Sequence, residues 1–383
     1  MQKSDLAFIF KSILIWRLAL IAAVFFAVKF MPLQKDFLGG GMSNYLASPL
    51  LWSLANFDGE HYLAIARQGY LPLTYFFFPL YPLLIKFISV IFGKDLFAYL
   101  ISGLFVSHVS LFLGAIGFYK LVSLDHGPKI SKLAFILLML FPTSFYFGSV
   151  YTESLFFTLS VWSFFFARKR KWLLAGILGA FAGATRIVGL ALIAGLLVEW
   201  WEYSKTIKDK EKILLSLACV LLSFLGIGSY IYYLYVRTGD PINFLTTASI
   251  FGSQRSSSLI LLPQVFYRYF FKILPSLDYS NFFSFSIPLF ELATALIFIF
   301  VSILSFFKLR ISYSTYLLLG FLIPTFSGSF SSLPRYVLVL FPAFILGGIY
   351  LSRIGRWHYP IFILLAMGLL ICISLFSRGY WIS

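Results

Sequence analysis

The stretch LLSLACVLLSFLGIGSYIYYLYV, residues 214–236, contains no Asp, Glu, Lys or Arg along its whole length. A helix of about 20 predominantly apolar residues is long enough to cross the ~30 Å hydrocarbon core of a bilayer. Comparable apolar runs recur along the chain, as in LAFILLML at 133–140 and IPLFELATALIFIFVSILSFF at 287–307. The sequence therefore predicts an all-α, polytopic membrane protein.

The composition agrees with this class of protein. Of the 383 residues, 60% are hydrophobic and 11% are charged, and the mean hydropathy is +0.92. The net charge of +16 does not indicate a nucleic-acid-binding protein, because the 30 Lys and Arg residues are scattered between apolar runs and form no basic domain. Membrane lipids with anionic headgroups are the expected partners instead. Cys219 and Cys372 both lie in apolar runs, where they are expected to pack as small side chains.

Basic clusters orient the predicted spans, since short cytoplasmic loops are enriched in Lys and Arg. The strongest cluster is RKRK at 168–171, which we assign to the cytoplasm. The first helix, about 6–30, then exits the membrane, and its continuous apolar run does not indicate a cleavable signal peptide. A long first outer loop, about 31–95, and a second outer loop, about 237–285, are predicted on the extracytoplasmic side.

Two parts of the chain do not fit a simple crossing. The run FFFPLYPLLIKFISVIFG, 76–93, is short and interrupted by prolines, so we interpret it as an interfacial helix on the outer face. Residues 172–201 are too long for one span and are interrupted by TRIVG at 185–189. Two pieces of about 14 residues would each rise only ~21 Å, which places Arg186 at the tip of a sunken hairpin. In total we expect about eleven membrane segments in one integral-membrane domain, 1–383.

Five polar motifs fall on the extracytoplasmic side of this arrangement. They are FDGEHYLAIARQGY at 57–70, FPTSFYFGSVYTESLFF at 141–157, TRIVG at 185–189, GDPINF at 239–244 and SSLPRYVLVLFP at 331–342. Ionisable side chains beside membrane segments are rare and usually face a cavity or a partner. Five such motifs on one side of the membrane therefore predict a single functional site.

This ordered set, with FFPLYPLL at 77–84, resembles the PIG-V-type family of glycosylphosphatidylinositol mannosyltransferases and their prokaryotic relatives. The resemblance covers most of the chain, and Phe57 stands where the family often has Trp. It implies a GT-C-type fold with a long first extracytoplasmic loop. It also implies a glycosyltransferase that takes mannose, or a related sugar, from a polyprenyl- or dolichyl-phosphate carrier. Such enzymes carry an acidic residue in the first outer loop, and Asp58 matches that position.

The chemistry of such a transfer requires specific side chains. Inverting transfer from a phosphate carrier to a hydroxyl needs a base opposite the leaving phosphate, and Asp58 is the candidate general base. The leaving phosphate needs a fixed cationic partner, for which Arg186 and Arg335 are the candidates, because a guanidinium can hold two phosphate oxygens. Glu153 is expected at the same site, where it could orient the acceptor, hold Arg186, or help Asp58 bind a divalent cation. Two carboxylates do not by themselves specify a metal.

Each of these residues also has a simpler structural interpretation. Asp58 could cap the helix that follows it, since an N-cap Asp stabilises a helix by about 1 kcal/mol. Arg186 could extend its charge to the headgroups, although a position below the surface disfavours this. Arg335 begins a predicted span, where a membrane-interface anchor is common. Asp240 is expected to be a turn residue in GDPINF.

Five further side chains are predicted as substrate-binding candidates. Glu60 and His61 are expected on the solvated side of the helix after Asp58, and His61 has no second histidine nearby that would indicate a metal site. Tyr62, Tyr70 and Tyr151 could stack on sugar faces, although tyrosines also form interfacial belts by default.

The preferred function is therefore a membrane glycosyltransferase with a lipid-linked sugar donor and a glycan or glycolipid acceptor. A transporter or flippase for a lipid-linked sugar is the alternative, but the motifs gather at one face without the internal repeat typical of transporters. A non-catalytic lipid-binding subunit is a third possibility. Because the chain contains no Asn-X-Ser/Thr sequon, a prokaryotic plasma membrane is the preferred location.

Overall fold

The computed structural model describes residues 2–247, 256 and 258–382, and within these residues it contains helices and no strands. The N-terminal half forms α1 (Lys3–Phe30), α2 (Gly41–Ala47), α3 (Pro49–Trp52), α4 (Asp58–Gln68), α5 (Leu80–Phe92), α6 (Leu96–Val122), α7 (Pro128–Leu140), α8 (Glu153–Arg168), α9 (Trp172–Gly183) and α10 (Gly189–Ser204). The all-α prediction is confirmed for the described part of the chain.

The C-terminal half continues the helical arrangement. It forms α11 (Lys210–Leu221), α12 (Phe224–Thr238), α13 (Asn243–Thr246), α14 (Leu262–Arg268), α15 (Phe282–Ser305), α16 (Ile311–Thr325), α17 (Leu333–Tyr336), α18 (Phe341–Arg353) and α19 (His358–Ser377). The predicted second outer loop, about 237–285, lies partly outside the described residues.

Helix ends follow the local sequence. Asp95 caps the start of α6, where its Oδ1 accepts a hydrogen bond of 2.9 Å from the backbone N–H of Ala98. Asn281 caps α15 in the same way, with its Oδ1 accepting from the N–H of Phe283 at 3.0 Å. Such caps satisfy N–H groups that the first turn of a helix leaves unpaired. Gly239, with φ of 77°, ends α12 in the left-handed conformation that glycine adopts most easily.

Four helices in the described residues are individually long and apolar enough to cross a membrane: Lys3–Phe30, Leu96–Val122, Phe282–Ser305 and Gly355–Ser377. Two bent pairs raise the number to six if each pair is one span: Lys210–Leu221 with Phe224–Thr238, bent by 41°, and Leu333–Val339 with Phe341–Arg353, bent by 79°. The predicted count of about eleven segments is not confirmed, because several apolar runs form helices shorter than a span.

The apolar run at 214–236 and the predicted hairpin show how these breaks occur. The run is not one straight helix, since α11 and α12 meet at a bend near Ser223. The predicted break after residue 183 is observed: α9 ends at Gly183 and α10 begins at Gly189. Leu80–Phe92 forms the short helix predicted at 76–93, and its 13 residues rise only about 20 Å, less than a bilayer core.

The bundle is organised around α8, which packs between α6 and α9. Helix α10 packs on α16, α7 on α18, and α1 on α19. Small residues permit the closest approaches. A Cβ atom at Gly226 of α12 would lie 1.7 Å from the carbonyl oxygen of Ala180 in α9, so only glycine fits there. Close contacts through small residues are typical of packing between membrane helices.

Candidate active site

Asp58 lies at the start of α4, in the predicted first outer loop, and follows a strained residue. The preceding residue, Phe57, has φ of 59°, which is rare for an aromatic residue. Its ring is held by Phe37 at 5.1 Å, Phe376 at 5.6 Å and Trp381 at 4.8 Å between ring centroids. A strained conformation persists only when the surroundings impose it, and it is commonly found beside functional residues.

Two arginines and two carboxylates form one ion-pair network. Arg335 Nη1 donates to Asp58 Oδ2 at 2.6 Å, and Arg335 Nε lies 3.5 Å from Glu153 Oε1. Arg186 Nη1 contacts the same Glu153 Oε1 and donates to Thr152 Oγ1 at 3.2 Å. The side chains of Glu153, Arg335, Arg186 and Asp58 are 1%, 4%, 9% and 15% exposed. The network joins four of the predicted motifs, which are far apart in sequence and contribute one charged residue each.

Tyrosine rings surround the two guanidinium groups. The Tyr336 ring centroid lies 5.2 Å from the guanidinium carbon of both Arg186 and Arg335. Tyr146 and Tyr151 approach Arg335 at 5.5 Å and 5.4 Å. Aromatic faces attract cations, and the attraction strengthens where water is excluded. Both arginines are therefore held by ring faces as well as by carboxylates.

The network forms the charged part of a cavity of about 410 Å³. Asp58, Glu153, Arg186 and Arg335 all line it. The remaining wall is mainly apolar and comes from the aromatic residues at 76–78, from the start of α10, from the end of α16 and from Phe244, Leu245 and Leu259. Such a cavity has the chemistry to receive an amphipathic molecule with one anionic group and a long apolar part.

Two buried polar atoms of the network have no hydrogen-bond partner among the described residues. They are Glu153 Oε2 and Arg335 Nε, although Arg335 Nε lies within ion-pair distance of Glu153. A buried polar atom without a hydrogen bond is costly, so native proteins leave few of them. Both side chains belong to residues that line the cavity.

The geometry bears on the simpler interpretations of Asp58 and Arg335. Phe57, not Asp58, occupies the N-cap position of α4, and its side chain caps nothing. Asp58 lies in the first turn, where the helix dipole favours a carboxylate. Arg335 is buried in the short helix α17 and not placed at an exposed helix end. Both side chains therefore face the cavity and one another.

The other candidate residues of the predicted first outer loop lie in different surroundings. Tyr62 lines the cavity beside Asp58. His61 is half-buried and stacks on Phe77 with 5.0 Å between ring centroids, and burial lowers its pKa. Glu60 lines a second cavity with Lys35, Asp36, Arg67 and Gln68, and burial raises its pKa to about 7. Neither His61 nor Glu60 is as exposed as predicted, because α4 packs against α5 and α6.

Two predicted tyrosines do not line the main cavity. Tyr70 stacks on Tyr75 at 5.5 Å between ring centroids, and its hydroxyl donates to the carbonyl of Phe77 at 2.7 Å. Tyr151 is fully buried, and its hydroxyl donates to the carbonyl of Asn56 at 2.8 Å. Both side chains support the loop that carries Asp58 and do not present a ring face to the cavity.

A metal site is not defined by these residues. Over 2–247, 256 and 258–382, no group of three or more His, Cys, Asp or Glu side chains is arranged to hold a metal ion. Asp58 and Glu153 are the two carboxylates at the cavity, and arginine contacts both. Asp240 accepts from the backbone N–H of Ile242 at 3.0 Å, as expected of a turn residue.

Sequence reasoning missed two residues that complete the site. Thr152 holds Arg186, and Tyr336 packs against both arginines. Each is the direct neighbour of a predicted residue, Thr152 of Glu153 and Tyr336 of Arg335. The motif context could therefore have indicated them, although neither carries a charge.

Comparisons with solved structures give distant similarities. The chain is similar to the Archaeoglobus fulgidus oligosaccharyltransferase tethered with an acceptor peptide, with a TM-score of 0.39 and 13% identity over 95% of this chain and 55% of the archaeal chain. It is also similar to the same enzyme in complex with an inhibitory peptide and a dolichol-phosphate, with a TM-score of 0.38 and 14% identity over 96% and 56%. These TM-scores are too low to identify a common fold, so the GT-C fold stays a prediction.

Sequence comparisons give the family. A curated relative, the GPI alpha-1,6-mannosyltransferase 2 of Rattus norvegicus, is 28% identical over 170 residues, which cover 41% of this chain and 34% of the rat protein. The match thus spans about a third of that relative. The family model described as mannosyltransferase (PIG-V) matches residues 8–324, which include Asp58, Glu153 and Arg186, whereas Arg335 follows the matched region. The chain therefore belongs to the mannosyltransferase (PIG-V) family.

Proposed function

We propose that this protein transfers mannose, or a related sugar, from a polyprenyl-phosphate carrier to the hydroxyl of an extracytoplasmic glycan or glycolipid acceptor. One observation carries this proposal. Two carboxylates and two arginines meet at the charged part of a cavity whose other walls are mainly apolar. Family membership supports sugar transfer, and the cavity supports a lipid-linked donor.

The donor phosphate binds to Arg186 and Arg335. Each guanidinium has five N–H donors, and the described contacts with Asp58, Thr152 and Glu153 leave several of these donors for phosphate oxygens. The polyprenyl chain then lies along the apolar wall. The charged groups of the network sum to zero. The bound phosphodiester brings one negative charge, and a second develops on the leaving polyprenyl phosphate as the sugar departs, where the two arginines can stabilise it.

Asp58 acts as the general base. The acceptor hydroxyl oxygen attacks the anomeric carbon, its proton passes to Asp58, and the carbon–oxygen bond to the phosphate breaks with its electron pair retained by the leaving polyprenyl phosphate. Attack opposite the leaving group inverts the configuration. The hydrogen bond from Arg335 fixes the orientation of the Asp58 carboxylate.

Glu153 orients the arginines. Its Oε1 contacts Arg186 and lies 3.5 Å from Nε of Arg335, which supports this role over acceptor orientation or metal binding. Both guanidinium groups are thereby directed toward one region of the cavity. Preorganised charges of this kind stabilise a developing anion without further rearrangement.

The site operates at the extracytoplasmic face of a multi-pass membrane protein, with a prokaryotic plasma membrane as the proposed location. The scarcity of basic residues near Asp58, compared with the cytoplasmic cluster at 168–171, supports this orientation. The whole chain, 1–383, forms one catalytic domain with its first outer loop at about 31–95 and its second at about 237–285.

The test is turnover by the purified protein. Polyprenyl-phosphate mannose labelled in the sugar is incubated with the protein and a membrane lipid extract as the source of acceptor. We expect label to leave the polyprenyl phosphate and enter a new product, and we expect transfer by Asp58→Asn to be at least about 100-fold slower. A flippase would move the intact donor across a vesicle bilayer, and a lipid-binding subunit would only bind it. Either result without cleavage of the sugar–phosphate bond would overturn the proposal.

A further inference from the structure

A buried carboxylate outside the cavity lies in one of the four candidate spans. Glu291 is in α15 and is 4% exposed. Ionisable side chains within membrane helices are costly and usually serve a function. Glu291 does not line the main cavity, so its role must act through other residues.

Hydrogen bonds connect Glu291 to the turn before Arg335. The backbone N–H of Ser332 donates to Glu291 Oε1 at 3.4 Å, and the hydroxyl of Tyr269 donates to Glu291 Oε2 at 2.7 Å. The same Tyr269 hydroxyl accepts from the backbone N–H of Phe330 at 3.2 Å. Two routes therefore tie residues 330–332 to one carboxylate.

The turn that Glu291 holds is strained. Ser332 has φ of 66°, a left-handed conformation that residues other than glycine rarely adopt. It persists only if the surroundings fix it. The carboxylate acceptor on the Ser332 N–H is one such restraint, and the Tyr269 link to Phe330 is another.

The turn at Ser332 also fixes the position of Arg335. The carbonyl oxygen of Ser332 accepts from the backbone N–H of Arg335 at 3.1 Å and of Tyr336 at 3.0 Å. These two residues supply the guanidinium beside Asp58 and the ring beside both arginines. A change in the conformation of Ser332 would therefore move the guanidinium and the ring together.

We propose that Glu291 is a positioning residue that sets the Arg335 guanidinium for the donor phosphate, by holding the Ser332 turn from a neighbouring membrane helix. This inference rests on the proposed function, because it assigns Arg335 to phosphate binding. Glu291 itself does not touch the substrate.

A double-mutant cycle on donor binding tests the link. The affinity of purified protein for a polyprenyl monophosphate is measured for wild type, Glu291→Ala, Arg335→Ala and the double variant. We expect each single variant to bind polyprenyl monophosphate at least about tenfold more weakly than wild type. In the Arg335→Ala background, Glu291→Ala should weaken binding by less than about a further twofold, because the effects of residues that act through one another are not additive. Glu291→Gln, which keeps an acceptor for the Ser332 N–H, should recover most of the affinity.

Glu199→Ala is the matched control. Glu199 is an equally buried carboxylate, but it pairs with arginines at the opposite end of the bundle. A Glu199→Ala protein of equal or lower thermal stability should keep wild-type affinity, which separates positioning from general loss of stability.

The outcomes distinguish the two proposals. If Arg335→Ala binds polyprenyl monophosphate as wild type does, the phosphate-binding role in the proposed function is wrong. If Arg335→Ala binds weakly while Glu291→Ala is normal or fully additive with it, the positioning role is wrong. Should Glu291→Ala not fold, Tyr269→Phe, which removes the hydroxyl that joins Glu291 to Phe330, takes its place in the cycle, and full additivity with Arg335→Ala overturns the inference.

Discussion

Asp58 and Arg335 are 277 positions apart, yet their side chains, which are 15% and 4% exposed, meet at 2.6 Å. A charge-assisted hydrogen bond of this kind fixes geometry and is stronger than a neutral one. In the proposed reaction, Arg335 orients the base before the acceptor arrives and also lies beside the leaving phosphate. One contact thus links the two halves of the proposed reaction.

Replacing Asp58 by Asn tests the base. The amide has nearly the same shape but cannot take the acceptor proton, so we expect turnover to fall by about 10²–10⁴-fold, the usual contribution of a general base. Affinity for a polyprenyl monophosphate should change by only a few-fold, because the arginines remain. The check is single-turnover kinetics with labelled donor, and near-normal turnover by Asp58→Asn would remove Asp58 from the mechanism.

The two arginines are expected to contribute comparably, because both are buried and both contact Glu153. We expect Arg186→Ala and Arg335→Ala each to weaken binding of polyprenyl monophosphate by about 10- to 100-fold, equivalent to losing hydrogen bonds to a charged group. Arg186→Lys keeps the charge but loses the planar fork, so it should retain a small fraction of activity. Donor affinities measured side by side decide this, and a normal Arg335→Ala protein would make that residue a structural anchor.

The raised pKa of Glu60 predicts that the stability of the protein depends on pH. Burial raises its pKa to about 7, from an ordinary value of 4.5, so the folded protein holds this proton more tightly than the unfolded chain. The contribution of Glu60 to the free energy of unfolding is therefore lost as the pH rises from about 4.5 to about 7. Glu60→Gln should gain thermal stability relative to wild type at pH 8 and much less at pH 5. Thermal unfolding at both pH values measures this, with the exposed Glu211→Gln as the control; an equal effect at both pH values would contradict it.

Among the helices, the sequence predicted the breaks that matter most for the site. TRIVG interrupts an apolar run too long for one span and too short for two, and the structure ends α9 and starts α10 around it. The predicted count of about eleven membrane segments is not confirmed, because apolar length alone does not reveal that α11 and α12 bend by 41° or that the segment entering α18 bends by 79°.

The site was predictable as a set of motifs but not as a network. Asp58, Glu153, Arg186 and Arg335 all stand out as charged residues in apolar surroundings, and the structure brings them together. Which carboxylate meets which arginine depends on tertiary packing. Tyr151 shows the limit of residue-type reasoning, since an aromatic ring beside a polar motif suits sugar stacking equally well before its burial is known.

The position of α5 decides the orientation of the elements that follow it, and cysteine labelling tests it. In a background with Cys219 and Cys372 replaced by alanine, Gln68→Cys should react with an impermeant thiol reagent from outside, and Thr206→Cys only after permeabilisation. Both positions are exposed in the structure. If α5 crosses the membrane, Thr206→Cys will also react from outside, and our interpretation of α5 as interfacial is wrong.

At the scale of the whole molecule, charged networks occupy both ends of the bundle. Helix α8 begins at Glu153 in the candidate site and ends at Arg168, about 24 Å away. Arg168 pairs with Asp125 at 2.6 Å and lies 3.7 Å from Glu199, while Arg310 pairs with Glu199 at 3.2 Å. The two networks therefore share a rigid element but no side chain, which allows their contributions to be separated.

Glu199 is expected to stabilise the bundle without contributing to donor binding. Its carboxylate is fully buried and lies near three arginines, so Glu199→Ala leaves their charges poorly compensated and should lower the free energy of unfolding by about 3–5 kcal/mol.

Glu202→Ala is the matched control for this prediction, because Glu202 lies on the same helix and pairs with the same Arg310 but is 27% exposed. It should cost no more than about 1 kcal/mol. Thermal unfolding and donor affinity, measured on both variants, show whether Glu199 affects stability, donor binding or both. A Glu199→Ala protein that unfolds as wild type does would contradict the stabilising role of Glu199. One that binds donor more weakly at a temperature where it is folded would show that the Glu199 network is coupled to the site.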